Sequence, residues 1–157
     1  MTHPVDTESE HLSDLSFRLT SPGWPGSYTD NLNCEWIIST PPGTRVKLRI
    51  QYLSLESSYY ACPYDRLTVF DGMYGTQQWN KTGDYCRRTQ RFTIISSGQF
   101  MKIAFKTDSS RTRQGFVLSL QSICGGYVSS PRGYLSSPGY PAQYPADTNC
   151  DWVVMSR

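Results

Sequence analysis

Apolar and polar residues alternate along much of this chain with a period of two residues. In RVKLRIQY, at 45–52, every second side chain is apolar and those between are charged or polar. RLTV at 66–69, MKIAF at 101–105 and FVLSL at 116–120 repeat the pattern, and CEWIIST and RFTIISS are longer apolar runs. Alternation with this period is typical of strands that bury one face.

Turn-forming residues separate these predicted strands. Pro41-Pro42-Gly43, Asp71-Gly72 and Ser97-Gly98 lie between successive segments, and these residue types favour the backbone angles of turns. We find no amphipathic helix of useful length. Short strands punctuated by turns predict an all-β fold, an antiparallel β-sandwich.

The chain also repeats itself. TSPGWPGSYTDNLNCEWII, at 20–38, returns as SSPGYPAQYPADTNCDWVV, at 136–154, with Cys150 lying 116 residues after Cys34. Seven further residues match without a gap: Ser137, Pro138, Gly139, Pro141, Tyr144, Asn149 and Trp152 repeat Ser21, Pro22, Gly23, Pro25, Tyr28, Asn33 and Trp36. We therefore predict three segments: a disordered leader at 1–14, one domain at 15–122, and the truncated start of a second at 123–157.

Composition and charge favour a protein that works outside the cell. The chain has five cysteines, ten prolines and twelve glycines, and no apolar stretch long enough to span a membrane. Residues 1–16 lack the apolar run of a secretory leader, so we expect a piece of a larger extracellular protein. Residues 1–14 hold four acids, whereas cations exceed acids afterwards, which could favour anionic partners.

Five cysteines leave one without a partner. In the repeat, Cys124 corresponds to Glu8, so the first unit lacks the cysteine that would pair with Cys34. The simplest pairing gives one disulfide in each unit, Cys62 with Cys86 and Cys124 with Cys150. Cys34 is then either a buried, inert thiol or a site of pairing with another chain.

Three acidic residues lie where predicted strands meet loops. Glu56 follows one strand, Asp65 opens the next, and Asp108 ends a third. If these loops share one end of the sandwich, the carboxylates repel one another unless a cation neutralises them. A hard divalent cation takes about 6–8 oxygen ligands, so carbonyls near Ser110 and waters would complete a weak site, with a dissociation constant on the order of 10⁻⁴–10⁻³ M. The spacing alone is equally consistent with three ordinary acidic residues in loops that bind no metal.

The charged side of the segment at 45–51 carries Arg45, Lys47 and Arg49. One interpretation is a solvated strand face. The other is a polyanion-binding module for a sulfated glycan, to which three more arginines contribute: Arg87, Arg88 and Arg91. Binding of that kind would depend steeply on salt and would be indifferent to chelators.

The sequence offers no catalytic constellation. Its two histidines, His3 and His11, lie in the acidic leader, which cannot hold the hydrogen-bond geometry that a general base needs. There is no HExxH motif, no CxxC zinc spacing and no Gly-rich phosphate loop after a strand. We expect no enzymatic activity in this chain and no nucleic-acid partner, with an ancillary role beside an extracellular protease as an alternative.

The repeated motif and several later ones occur in an order that resembles CUB domains. The second unit opens CGGYVSSPRGYLSSPGYPAQYPADTNCDWVV, and the first continues with CPYDRLTVFDG, YC, SSGQFMKIAFKTD and GFVLSLQ. The resemblance covers 15–122 as one domain and 124–157 as the start of another. It implies an extracellular β-sandwich of jelly-roll type, usually with two disulfides, that binds proteins. The short connection at 121–123 resembles tandem CUB arrays of endocytic and guidance receptors.

The resemblance also implies calcium at the three loop acids. Calcium-binding CUB domains have a Glu in this loop, an Asp in a Cys-x-Tyr-Asp stretch and an Asp after a strand ending Phe-x-Ser/Thr, which here are Glu56, Asp65 and Asp108. A tyrosine at the position of Tyr28 holds the acids. Bound calcium orders the loops, and the expected binding site for a Lys or Arg of a protein ligand is Glu56 and Asp108 with Tyr28 and Tyr59.

Three other features bear on this expectation. Where family members often have Asn three residues after the last Asp, this sequence has Arg111. Asn80-Lys81-Thr82 is an N-glycosylation acceptor in a stretch that we expect to be a loop. The clustered tyrosines near Glu56 either form a contact surface or pack into the fold: Tyr59, Tyr60 and Tyr64.

Overall fold

The computed structural model describes residues 9–11, 16–72, 78–129 and 132–155, which form eleven β-strands. These are β1 Ser9–His11, β2 Phe17–Thr20, β3 Asn33–Ser39, β4 Thr44–Ser54, β5 Arg66–Gly72, β6 Trp79–Tyr85, β7 Thr93–Ile95, β8 Phe100–Lys106, β9 Gly115–Cys124, β10 Gly126–Ser129 and β11 Trp152–Met155. Within these ranges, no helix has the length and apolar character needed to cross a membrane.

Nine of the described strands form the two sheets of a sandwich. The five-stranded sheet has the order β1-β3-β8-β5-β6, and the four-stranded sheet has the order β2-β9-β4-β7. Neighbouring strands are antiparallel except β1, which runs parallel to β3. This arrangement confirms the predicted all-β sandwich.

The core lies between the two sheets and follows the alternation in the sequence. In β4, Val46, Leu48 and Ile50 are buried, whereas the residues between them are not. Phe105 of β8 and Phe116 of β9 pack edge to face across the sandwich, with ring centroids 5.0 Å apart. Each such side chain contributes about 1.5–3 kcal/mol by leaving water, so alternate apolar residues of both sheets hold the layers together.

Strand β6 lies where the sequence predicts a loop. It pairs with β5 from Leu67–Tyr85 to Gly72–Trp79, and a register shift falls after Val69. Its residues WNKTGDY include types that are depleted in strands. As the outermost described strand of its sheet, β6 is specified by hydrogen bonds to β5 rather than by an apolar pattern.

Part of the segment predicted to be a disordered leader is a strand. Residues 9–11 form β1, and Ser9, Glu10 and His11 align with 37–39 of β3. A parallel pair needs a long connection, and here the intervening chain passes through β2 in the other sheet. The remaining residues of the predicted leader lie outside the described ranges.

The sequence repeat is visible in the backbone. Gly23 and Gly139 have φ angles of 85° and 80°, and Asn31 and Asp147 have φ angles of 59° and 53°. Each pair is separated by the repeat length, so both copies of the motif turn in the same way. In the second copy, β10 runs parallel to β11, as β1 runs parallel to β3.

The second unit contacts the first at one end of the sandwich. Strand β9 runs without a break to Cys124, where the second unit begins. The carbonyl oxygen of Gly43 then accepts hydrogen bonds from the Gly125 amide (3.0 Å) and the Trp152 indole N–H (2.7 Å). The turn at 41–43, predicted from its Pro-Pro-Gly sequence, thus serves as the contact point.

Candidate functional site

The three predicted loop acids meet at one end of the sandwich. Glu56 follows β4, Asp65 precedes β5 and Asp108 follows β8. One carboxylate oxygen from each lies within 4.8 Å of the others. Glu56 and Asp65 are buried, with 7% and 1% of their surface exposed, and Asp108 is half-buried. The strand ends therefore bring together residues that are up to 52 positions apart in the sequence.

Tyr28 connects two of these acids. Its hydroxyl donates to Oδ2 of Asp65 at 2.6 Å and accepts from the backbone N–H of Glu56 at 3.1 Å. The ring is 2% exposed and packs edge to face on Phe105, 5.2 Å between centroids. Core packing thus positions the hydroxyl, and the hydroxyl in turn positions Asp65 and the start of the Glu56 loop.

The other oxygen of Asp65 holds the third acid. Oδ1 of Asp65 accepts a hydrogen bond from the backbone N–H of Asp108 at 2.8 Å. The amide of Ser110 donates to Oδ1 of Asp108 at 3.2 Å, so the turn after β8 curls around its own carboxylate. The predicted contribution of a Ser110 carbonyl to a metal shell stays a prediction.

The sequence gives little sign of two residues that fix the Asp108 loop. The Asn31 amide donates to the Asp108 carbonyl oxygen at 2.8 Å. The Thr107 hydroxyl accepts from the Leu32 amide at 2.7 Å and donates to the Thr29 carbonyl at 2.9 Å. Thr107 stands beside Asp108 in FKTD, but the spacing of the motif does not reveal this bridge to the loop at 29–32.

Burial and mutual repulsion raise the proton affinity of the site. The pKa of Glu56 lies above its usual value because of burial, and the charges of Asp108 and Asp65 raise it further, while Arg111 opposes them. Burial also raises the pKa of Asp65, against the hydrogen bonds it accepts from Tyr28 and the Asp108 amide. Burial and the bond to Asp65 raise the pKa of Tyr28 well above its usual range, so its hydroxyl remains a donor.

One carboxylate oxygen of this cluster has no hydrogen-bond partner in the described part of the chain. Oε2 of Glu56 is buried and accepts no hydrogen bond from any described residue. A buried acceptor without a partner costs about 1–3 kcal/mol, and a carboxylate beside two others is further destabilised by repulsion. A hard cation that prefers oxygen ligands satisfies both conditions, so these residues fit a divalent cation such as Ca²⁺.

The loop between Glu56 and Asp65 carries the predicted contact tyrosines. Tyr59 and Tyr60 are 80% and 86% exposed and pack edge to face at 4.6 Å. The Cys62–Cys86 disulfide ties this loop to the end of β6, and the Arg87 guanidinium donates to the Tyr59 carbonyl at 2.8 Å. The aromatic side chains therefore project into solvent from an anchored loop, which favours the contact-surface interpretation.

The predicted cysteine pairing is confirmed. Disulfides join Cys62 to Cys86 and Cys124 to Cys150, and Cys34 is free. Cys34 is half-buried in β3 and packs against the core, and this burial raises the pKa of its thiol.

The structure separates the cations that the sequence groups together. Arg45 is not on a free strand face: its Nη2 donates to the Cys124 carbonyl at 3.1 Å, and its stem packs against Gly126 at the junction of the units. Arg87 faces the Tyr59 loop, and Arg88 lies over the Tyr52 ring, 6.0 Å from its centroid. Arg45 and Arg87 are therefore engaged away from the predicted face, which keeps Lys47, Arg49 and Arg91, while Arg88 lies against Tyr52 of β4.

Asn80 lies in strand β6 rather than in the predicted loop, because the strand continues through the acceptor triplet. Its side chain is exposed, and the Thr82 hydroxyl donates to the Val69 carbonyl at 2.9 Å. Glycosylation at this position stays a prediction.

The chain matches one family model and several known proteins. The model, described as CUB domain, matches residues 8–120 and 124–157, so the first match includes β1. Cubilin of Sus scrofa is 43% identical over 141 residues, which are 90% of this chain and 4% of cubilin. Neuropilin-2 of Homo sapiens is 32% identical over 146 residues, 88% of this chain and 15% of that protein. This chain thus spans a small part of the length of these relatives.

Solved structures share the fold. The MASP-1 CUB2 domain bound to Ca²⁺ has a TM-score of 0.62 and 22% identity, covering 73% of this chain and 98% of that one. The extracellular region of zebrafish Gpr126/Adgrg6 has a TM-score of 0.61 and 29% identity, covering 75% of this chain and 15% of that one. At its low identity, the likeness to the MASP-1 domain concerns the fold alone.

Proposed function

The chain belongs to the CUB domain family, and on that basis we propose that its first unit is an extracellular protein-recognition module ordered by calcium. The observation that carries the proposal is the cluster of Glu56, Asp65 and Asp108, whose oxygens lie within 4.8 Å of one another. The buried Oε2 of Glu56, which no described residue hydrogen-bonds, supports a cation at this point. The solved MASP-1 CUB2 domain, which shares the fold, is bound to Ca²⁺.

Calcium would act here as a structural ion. It would neutralise three carboxylates that otherwise repel one another, and it would fix the ends of β4, β5 and β8 relative to each other. The hydrogen bonds of Tyr28 and of the Asp108 amide already orient both oxygens of Asp65. The protein thus prepares part of the coordination shell before any ion binds.

The ligand that best fits this surface is a basic side chain of another protein. Asp108 is half-buried, so its carboxylate remains accessible next to the loop that carries the exposed Tyr59. A Lys or Arg head group would donate charge-assisted hydrogen bonds to Asp108 and Glu56, while the aromatic rings cover its aliphatic stem. Tyr28 is buried and acts by positioning Asp65.

A lysine analogue tests this recognition. The probe is Nα-acetyl-lysinamide, titrated into the isotope-labelled chain while NMR amide shifts are recorded. We expect shifts at residues 56–60 and 108–110 that require calcium and vanish in chelator. The neutral Nε-acetylated analogue is the matched control. Equal shifts from both analogues, or shifts that persist in chelator, would contradict recognition of a cation by this site.

Three further proposals complete this function. We propose that residues 124–157 are the start of a second CUB domain, so that the parent protein carries at least two in tandem. Asn80, exposed on an edge strand, is proposed to carry an N-linked glycan, which enzymatic deglycosylation of secreted protein would detect as a mass loss. The chain is proposed to act without catalysis, outside the cell.

A further inference from the structure

The outer face of the four-stranded sheet has an unbalanced charge. The four strands β2, β9, β4 and β7 contain no aspartate or glutamate. The five-stranded sheet differs, because Glu35, Asp71 and Asp84 lie in its strands. Both ion pairs found among the described residues also belong to that sheet, Lys81 with Asp84 and Lys102 with Glu35.

Cations from separate strands share the outer face of the four-stranded sheet. Arg18 of β2 and Arg49 of β4 both align with Ser119 of β9, and Arg49 also aligns with Thr93 of β7. Residues directly opposite one another point to the same side of a sheet. Since the alternate residues Leu48 and Ile50 face the core, this row faces solvent. Arg18 and Arg49 lie two strands apart, which is about 10 Å.

Two more cations extend this row. Lys47 lies two residues before Arg49 on β4, about 7 Å away, and aligns with Gln121 and Ile95. Arg91 precedes Phe92, whose carbonyl accepts from the Ile50 amide and whose ring packs on the core. Arg91 is exposed and continues the outward face beyond Thr93. None of the four cations pairs with a carboxylate in the described part of the chain.

We propose that this face, defined by Arg18, Lys47, Arg49 and Arg91, binds a linear sulfated polysaccharide. Guanidinium groups bind tetrahedral oxyanions with two parallel hydrogen bonds, and no carboxylate of the described residues forms an ion pair with these cations. The side chains between them are Ser119, Thr93 and Gln121, which can hydrogen-bond sugar hydroxyls. The rows that hold these cations contain no aromatic ring, and Tyr52 in the neighbouring row is already in contact with Trp24 and Arg88. Without a free ring for base stacking, this face fits a sulfated glycan better than a single-stranded nucleic acid.

This face is distinct from the acidic loops. Its cations lie along the strands of one sheet, whereas Glu56, Asp65 and Asp108 lie at strand ends. Glycan binding is therefore expected to persist in chelator, and the two surfaces can be tested independently. A negative result for glycan binding would not count against the calcium site, and a negative result for calcium would not count against glycan binding.

The test is a titration of the full chain with a heparin decasaccharide, in chelator, over a series of salt concentrations. We expect binding whose affinity falls steeply as salt rises. The variant R18Q/K47Q/R49Q should bind about tenfold more weakly, on the order of a few-fold per charge, with a smaller salt slope. Its melting temperature should stay close to that of the parent, because Arg18 and Arg49 are exposed.

The matched control is R66Q/K106Q/R113Q, which removes the same residue types elsewhere. Arg66 and Lys106 align with each other on the five-stranded sheet. The control variant should keep most of the affinity. Equal losses in both variants, or no binding by the parent at low salt, would overturn the proposal. It would also be overturned if vesicles rich in phosphatidylserine bound as tightly as heparin at the same ionic strength, or if chelator abolished the binding.

Discussion

At the scale of single residues, the candidate cation site is defined by which oxygens of its three carboxylates accept hydrogen bonds from the protein. Asp65 is satisfied by the Tyr28 hydroxyl and the Asp108 amide, whereas Oε2 of Glu56 has no partner among the described residues. Asp65 and Asp108 could be predicted from the sequence through the motifs CPYD and FKTD, and Glu56 and Tyr28 through their positions in the resemblance to CUB domains. The bridge made by the Thr107 hydroxyl could not, because hydrogen bonds from one side chain to the main chain of a distant loop leave no trace in the spacing.

Replacing Tyr28 by Phe tests its role as the connector. The change leaves Oδ2 of Asp65 and the Glu56 amide without a partner, and an unpaired buried polar group costs about 1–3 kcal/mol. We expect a loss of that order in the free energy of unfolding, measured by urea denaturation in chelator, together with weaker calcium binding. Tyr52→Phe removes a hydroxyl that bonds Gln114 in an exposed setting and should change stability by much less. Equal losses would contradict the assigned role.

Arg111 offers a second test at this scale. Its charge lowers the pKa of Glu56, which means that it also repels a cation bound there. Arg111→Asn should therefore strengthen calcium binding roughly 1.4- to 5-fold, the range expected for one exposed charge interaction, as measured by isothermal titration. Arg113→Asn is the control, because Arg113 is exposed and its guanidinium bonds the adjacent Thr112 carbonyl. Unchanged or weaker binding in the Arg111 variant would count against this electrostatic role.

At the scale of elements, strands were predictable where one face is buried. Strands β4, β5, β8 and β9 alternate in sequence because one side of each packs on the core and the other side faces away from it. Strand β6 could not be predicted, because the polar residues of this edge strand are the same types that occur in loops. The convergence of the acids follows from sheet order, which the sequence does not encode locally.

The Cys62–Cys86 disulfide gives a prediction for the loop between Glu56 and Asp65. The bond closes a segment of 24 residues, and restriction of the unfolded chain by a loop of that size is worth about 3 kcal/mol. A double Cys→Ala variant at these positions should lose stability of that order and bind calcium more weakly, because the loop that presents Glu56 is no longer tied to β6. Cys34→Ala, which breaks no disulfide, should retain calcium affinity. Full calcium affinity in the double variant would show that the loop needs no such anchor.

At the scale of the whole molecule, the repeat explains the architecture. The two copies of the motif share backbone turns, yet their surroundings differ: Tyr28 is 2% exposed, and Tyr144, its counterpart 116 residues later, is 72% exposed. The sequence reveals the repeat and its period. It does not reveal the contact through Gly43, or that Arg45 belongs to this junction, because both depend on how one unit sits on the next.

The acidic site should also couple stability to pH. Burial raises the folded-state pKa of Glu56 above its unfolded value of 4.5 and that of Asp65 above 3.8. Without a cation, this contribution to stability is present below the unfolded values and is lost as pH rises through the raised ones. Calcium requires the ionised carboxylates, so its stabilising effect should be small near pH 4.5 and grow towards neutral pH. Melting curves with calcium and with chelator across this range check the sign; a calcium effect independent of pH would contradict it.

The most direct measurement is a thermal melt of the full chain with millimolar calcium and with chelator, for the parent and for Glu56→Gln. A ligand that binds only the folded state raises the melting temperature, and an affinity on the order of 10⁻⁴–10⁻³ M predicts a gain of several degrees. Glu35→Gln, the same substitution at an acid outside the cluster, should keep that gain, and Glu56→Gln should lose it. The same melting temperature for the parent with and without calcium would contradict a calcium-ordered recognition site.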